Sequence, residues 1–406
     1  MNSQHIISRK VAAPSALSVV CAVAMAACGG GSGSGMTTGS TQLTAQPSQE
    51  FADTPLVSDN SNVVATATTI DPNLQNPWGI AVAPGLPFWI ADNNSNLATL
   101  YSGTGTVETD TITGSNSVGI AIPASAAGVQ ANPTGQVYNA TGGFLISTPK
   151  GMESAQFIYD GEGGTIAAWA ADSGATTVTA YDDGIINGAN HAVYKGLAIG
   201  GVNGATFLYA TDLHNNKVDV FDTNFDKPAA MQGQFIDPTL PAGYVPFGIS
   251  AVSGQLYVTY AKQDSAMHDE VTGAGMGYVD VFDMSGNFVT RFASQGMLNA
   301  PWGIAVAPSG FGSIAGDVLI GNFGDGTINI FTPSGSLATF VGQLMVSNGG
   351  TFAAPGLWSI VFGNGDPDKP VTTLFYTAGF ADQTDGVFGS IAVAPTTAPV
   401  PVTNPY

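Results

Sequence analysis

Eight residues, Pro77-Trp78-Gly79-Ile80-Ala81-Val82-Ala83-Pro84, return letter for letter as Pro301-Trp302-Gly303-Ile304-Ala305-Val306-Ala307-Pro308. A chain that repeats itself at this level is built from copies of one supersecondary unit, which restricts it to solenoids, propellers or arrays. Loosened to a Gly that opens an apolar strand, usually with Pro two residues before it, the motif recurs at Asn132-Pro133-Thr134-Gly135 and Val245-Pro246-Phe247-Gly248. Weaker copies stand at Tyr194-Lys195-Gly196-Leu197 and Leu357-Trp358-Ser359-Ile360. The six starts, at positions 79, 135, 196, 248, 303 and 359, are spaced by 56, 61, 52, 55 and 56 residues.

Within a unit four short strands can be followed. In the fourth unit these are Gly248-Ile249-Ser250-Ala251-Val252, Gln255-Leu256-Tyr257-Val258-Thr259, Tyr278-Val279-Asp280-Val281-Phe282-Asp283 and Asn287-Phe288-Val289-Thr290-Arg291-Phe292. Period-two alternation in the third of them fits a sheet. A four-stranded sheet cannot cover both its faces alone, but six set radially cover one another. The expected fold is all-β, a six-bladed β-propeller over residues 60–395. The last unit lacks a fourth strand, and the β-branched stretch from Val63 to Thr68 is expected to supply it and close the ring from the N-terminal side.

Composition agrees with a turn-rich, helix-poor chain: Gly accounts for 53 of 406 residues and charged residues for only 9%, against a usual quarter or so. The ends read separately. Arg9 and Lys10 precede an apolar run from Val11 to Ala27 that ends in small residues, the pattern of a signal peptide over 1–27. Met25-Ala26-Ala27-Cys28 resembles a bacterial lipobox, which implies lipidation of Cys28. Residues 28–59 read as a flexible Gly/Ser/Thr/Pro tether and 396–406 as a Pro-rich tail. The two cysteines, Cys21 and Cys28, both belong to the leader region, so the domain has no disulfide and no thiolate chemistry. A net charge of −20 repels nucleic acid. The expected protein is thus exported, at the outer membrane, in the periplasm or on the cell surface, attached to membrane only by its lipid, and monomeric.

The Leu-Tyr-x-Thr/Ala-Asp and x-Val-Asp-Val-Phe-Asp patterns, with Gly-Ile-Ala-Val opening units, resemble the NHL-repeat class of six-bladed propellers. Asn-Pro-Trp-Gly-Ile-Ala, Ala210-Thr211-Asp212-Leu213-His214-Asn215-Asn216-Lys217 and Tyr260-Ala261-Lys262-Gln263-Asp264 are similar to an uncharacterised family of exported bacterial propeller proteins. The resemblance implies fold and export and carries no activity.

Polar residues concentrate in the turns between second and third strands, which share a propeller face with the start of the innermost strand. There lie Asp92, Asn93, Asp212, His214, Asp264, His268, Asp269 and Asn322. Asp and Asn also fill turns for purely conformational reasons. His191, His214 and His268 are the only histidines beyond the leader, and with Asp269 they form a candidate set for a divalent metal, calcium or zinc. The fourth unit adds a loop from Ala261 to Met276 that brings most of the local charge. Trp78, Phe247, Trp302 and Trp358 open innermost strands, either as packing between blades or as an aromatic platform at the channel mouth. No nucleophile elbow, phosphate loop or dinucleotide fingerprint is present. The favoured reading is a binding or scaffolding module for a protein, peptide or glycan ligand on that rim, since no catalytic constellation stands out, and whether the chain is an enzyme stays open. The alternatives are a metal-dependent hydrolase or lyase and a carbohydrate-binding surface protein.

Overall fold

The computed structural model describes residues 49–394 apart from 63, 109–118, 185–190, 336 and 348–349. The segments expected as leader and tail, Cys28 and most of the segment expected as tether therefore lie outside the described residues. Among the described residues no helix is long and apolar enough to cross a membrane.

Among the described residues six sheets stand around one axis, antiparallel except for two short parallel pairings in the sixth, each beginning with one of the repeated motifs on its innermost strand: Pro77–Val82, Pro133–Tyr138, Tyr194–Val202, Tyr244–Val252, Pro301–Val306 and Leu357–Phe362. The glycines of the motif explain how tightly these strands meet. A Cβ on Gly79 would come 2.7 Å from the Thr134 carbonyl oxygen, one on Gly135 2.1 Å from the Leu197 nitrogen, and one on Gly303 2.5 Å from the Trp358 oxygen. At Gly79, Gly135, Gly248 and Gly303 the innermost strand is thus pressed against the backbone of the next and leaves no room for a Cβ, whereas a Cβ on Gly196 would stand 3.1 Å from the Phe247 oxygen and the sixth unit carries Ser359 at this position. In all six the register to the second strand slips across the same two or three residues, so the motif is also a β-bulge. A bulge re-aims the side chain it carries.

Five of the sheets have four or more strands, and the third unit has three, Tyr194–Val202, Ala205–Asp212 and Lys217–Phe221. The expectation of six full blades is corrected to five plus this reduced one. Where its fourth strand would run, Pro228 cannot donate to a ladder and a short 3-10 turn, Ala229–Met231, follows. The Gln232 side chain takes the strand's place, its Nε2 donating to the Val220 carbonyl at 2.8 Å.

The sixth sheet is completed by an N-terminal strand, Glu50–Ser58, paired antiparallel with Val387–Val393. This strand lies before the one expected: the stretch 64–68 forms turns, and the propeller begins inside the segment read as tether. The physical reason is burial, since Phe51 and Val57 are fully enclosed while most of 65–68 is exposed. Separate hydrophobic clusters fill the spaces between neighbouring sheets, as between the fifth and sixth, where Leu319, Ile330, Ile360 and Leu374 meet.

Candidate functional site

The bulge turns one side chain per unit toward the axis: Trp78, Thr134, Lys195, Phe247, Trp302 and Trp358. The four aromatics meet there and plug the channel. Trp78 stacks on Trp358 with ring centroids 3.3 Å apart, and meets Trp302 edge-on at 5.9 Å and Phe247 edge-on at 6.4 Å. All four are buried, so Trp78 and Trp302 offer no open platform, and they pack on one another across the axis as well as between neighbours. Below the plug the six innermost strands enclose a channel cavity of about 350 Å³. Above it, on the face of the second-to-third-strand turns, a rim pocket of about 370 Å³ opens.

The two non-aromatic members decide the chemistry of that upper side. Thr134 shares its hydroxyl proton between Asp160 Oδ1 and the Tyr194 carbonyl, each 2.9 Å away. Asp160 Oδ1 also accepts the Gly135 N–H at 2.6 Å, yet burial pushes this carboxyl up to about 7. Lys195, whose side chain is 1% exposed, carries its ammonium over the Trp78 ring at 5.4 Å. It is bonded to Glu162 Oε1 and lies 3.2 Å from Asp269 Oδ1. Burial alone would lower its pKa, but Glu162, Glu270 and Asp269 outweigh that and hold it above the usual lysine range. Three different units contribute to this cluster, and Trp302 Nε1 fixes the lysine's backbone by donating to the Lys195 carbonyl at 2.8 Å.

The added loop of the fourth unit delivers the rest. After the strand Gln255–Gln263 it turns, and Glu270–Val271 pairs back onto that strand. Asp264 holds the turn by accepting the His268 N–H at 2.9 Å, and His214 Nδ1 lies 3.0 Å from the Met267 carbonyl. His268 Nδ1 is 2.9 Å from Asp269 Oδ1, a contact that raises the imidazole pKa and lowers that of the carboxyl. Burial raises Glu270 to about 7 against the pull of Lys195. Asn93 Nδ2 donates to Glu162 Oε2 at 3.1 Å, and Asn76, Asn132 and Gln383 complete the pocket wall.

Of the residues expected to form a site, Asn93, His268 and Asp269 come together here. Asp92 does not: it is buried at a strand end, accepts the Thr99 N–H at 3.0 Å, and burial raises its pKa strongly. Asp212 closes a turn by accepting from Asn215 Nδ2 at 2.7 Å, and Asn322 donates to the Met297 carbonyl at 2.7 Å. The metal set His191, His214, His268 and Asp269 is corrected, because only the last two meet. His191 packs beside Gly164 instead, and His214 holds the added loop. Among the described residues, Glu162, His268 and Asp269 do offer one ligand atom each within 4.8 Å of one another. The Lys195 ammonium contacts one oxygen of each of these carboxylates, so a divalent ion held by the three side chains would have to compete with it. Glu162 and Lys195 were not anticipated. The signal for Lys195 was present: a charge at the position that four other units fill with Trp or Phe.

No family model matches the chain. It is 32% identical over 340 residues to an uncharacterised protein of Acanthamoeba polyphaga mimivirus, covering 83% of this chain and 78% of that one. A second uncharacterised mimivirus protein is 31% identical over 338 residues, 82% of this chain and 83% of its own length. Among solved structures, virginiamycin B lyase from Staphylococcus aureus has a TM-score of 0.47 at 16% identity, covering 85% of this chain and all of that one. A glucose dehydrogenase has a TM-score of 0.48 at 13% identity over 80% of this chain and 98% of its own.

Proposed function

The chain belongs to the same protein family as these two uncharacterised mimivirus proteins, and from that premise, which supplies no activity, we propose that it is a binding module whose small polar ligand enters the rim pocket above Lys195. One observation carries this reading. In a chain with few charges, a lysine from the third unit, a glutamate from the second and an aspartate from the fourth are drawn together at the axis, under an open pocket walled by amides. Burying a lysine that deeply costs free energy unless its partners are in place. The fold itself has no need of it, since the equivalent position is aromatic in four other units. Pockets of this size with a few convergent polar groups are where ligands bind.

The test is a thermal-shift panel of amines, amino acids, organic acids and sugars, run on the native chain and on Lys195→Met. The reading expects at least one compound to raise the native melting temperature by several degrees and to lose that effect in the variant. A panel with no shift, or shifts indifferent to Lys195, overturns it.

The reading places this module outside the cell, anchored through Cys28, on the strength of the lipobox-like Met25-Ala26-Ala27-Cys28 and the apolar run before it. Expression in a bacterium fed labelled palmitate should label the chain and not Cys28→Ser. Equal labelling of both, or of neither, removes the anchor.

A further inference from the structure

Next to the rim pocket a second cavity of about 280 Å³ opens between the fifth and sixth units, and the two share Asp382 and Gln383. Together they make one trough crossed by a single turn. Its chemistry differs along its length. The first cavity is walled by amides and carboxylates; the second contains Phe323, Pro355 and the bare backbones of Gly324 and Gly356. Phe323 is half-buried. One ring face lies on Trp358, centroids 4.2 Å apart and nearly parallel at 23°, so what it exposes is on the side away from the plug. The plug thereby braces an aromatic face from below.

The turn between the cavities is held in an unusual state. Ala381, Asp382 and Gln383 all have positive φ, at 51°, 53° and 66°. Asn94 Nδ2 donates to the Gln383 carbonyl at 2.6 Å and Asn76 Nδ2 to Gln383 Oε1 at 3.2 Å. Gln383 Nε2 is left as a donor and the exposed Asp382 carboxylate as an acceptor on the partition itself.

Resting on the rim-pocket reading, we propose that the ligand is a neutral oligosaccharide of at least two sugar rings, one stacked on Phe323 and the next held over Glu162, Asp269 and His268. A pyranose presents an apolar C–H face and a girdle of hydroxyls, each both donor and acceptor. An aromatic face flanked by side-chain amides and carboxylates complements both. The strong negative charge of the chain selects against phosphorylated or uronic sugars. Cationic small molecules would suit the first cavity but would leave the aromatic one without a role. The aromatic platform is thus Phe323 and not the buried Trp78 or Trp302.

The experiment screens the full chain against an array of neutral and acidic oligosaccharides, followed by calorimetry with cellobiose and maltose against glucose. The proposal expects a neutral oligosaccharide to bind at least ten-fold more tightly than its monosaccharide. Phe323→Ala, measured at a temperature where it is fully folded, should lose ten-fold or more in affinity, and Phe323→Tyr should retain affinity. If Phe323→Ala does not fold, Asp382→Ala at its exposed turn gives the same reading. An array without neutral binders overturns the proposal, as does a folded Phe323→Ala or Asp382→Ala with native affinity. If sugars fail while another compound shows a Lys195-dependent thermal shift, the rim-pocket reading stands and only the ligand class falls. If both fail, both fall.

Discussion

Asp160 is caught between two demands, and the outcome can be read as a function of pH. One oxygen accepts the Gly135 N–H and the Thr134 hydroxyl, tying the second unit's bulge in place, while Oδ2 is buried without a partner. Desolvation outweighs the two hydrogen bonds and lifts the carboxyl from 3.8 to about 7. The folded state therefore binds this proton more tightly than the unfolded one. Its stabilising effect is complete below about pH 4 and is lost as pH rises toward 7, at up to about 1.4 kcal/mol per pH unit. Asp160→Asn keeps an acceptor for both donors and carries no charge. Its stability should decline less than that of the native chain between pH 4 and 7, and it should be the more stable of the two at pH 8. Parallel denaturation profiles would show that Asp160 is not the group responsible.

The repeated element is a bulge with glycine in five units and Ser359 in the sixth, and the sequence made that element visible while hiding what it carries. Pro-x-Gly recurs because the glycine must lie against the next strand's backbone, a constraint of shape that survives in the letters. Gly135→Ala would place a Cβ 2.1 Å from the Leu197 nitrogen, a contact no rotamer relieves, and should cost about 3 kcal/mol or more. Gly142→Ala meets nothing within 4 Å and should change stability by less than about 0.5 kcal/mol. Similar losses in urea melts would show that strand-to-strand contact is not what selects the glycine. The position before the glycine carries the side chain aimed at the axis, and there the regularity of four aromatics masks Lys195. Its partner Glu162 gave no sign, because it meets Lys195 across 33 residues in a turn with no motif of its own. The histidines misled for the opposite reason: a shared face does not imply a shared point, and His191 and His214 are each held by nearer neighbours. The third unit's missing strand was legible only in Pro228, since the pairing it replaces is made by one glutamine side chain.

At the scale of the ring, the site depends on closure, because its walls come from the first, second, fourth and sixth units and its floor from the third. The sixth sheet would end at an open edge without Glu50–Ser58. That strand inserts Phe51, Leu56 and Val57 into the clusters on either side of the sixth sheet, where Asp53 accepts the Tyr376 hydroxyl at 2.9 Å. Just beyond it Asp59 Oδ1 accepts the Gly386 N–H at 3.0 Å, and Asn60 Nδ2 donates to Asp385 Oδ1 at 2.9 Å. The closing segment thereby steadies the far side of the same turn, 382–384, that walls the rim pocket. Burying three large apolar side chains at roughly 1.5–3 kcal/mol each gives a loss of about 5–9 kcal/mol on removal. A chain beginning at residue 49 should therefore melt as the whole protein does, whereas one beginning at residue 61 should melt markedly lower and bind rim ligands more weakly even well below its melting point. A chain from residue 61 that kept full affinity would mean that the turn holds its shape without the closing strand, and that the rim pocket is a property of the local hairpin and not of the closed ring.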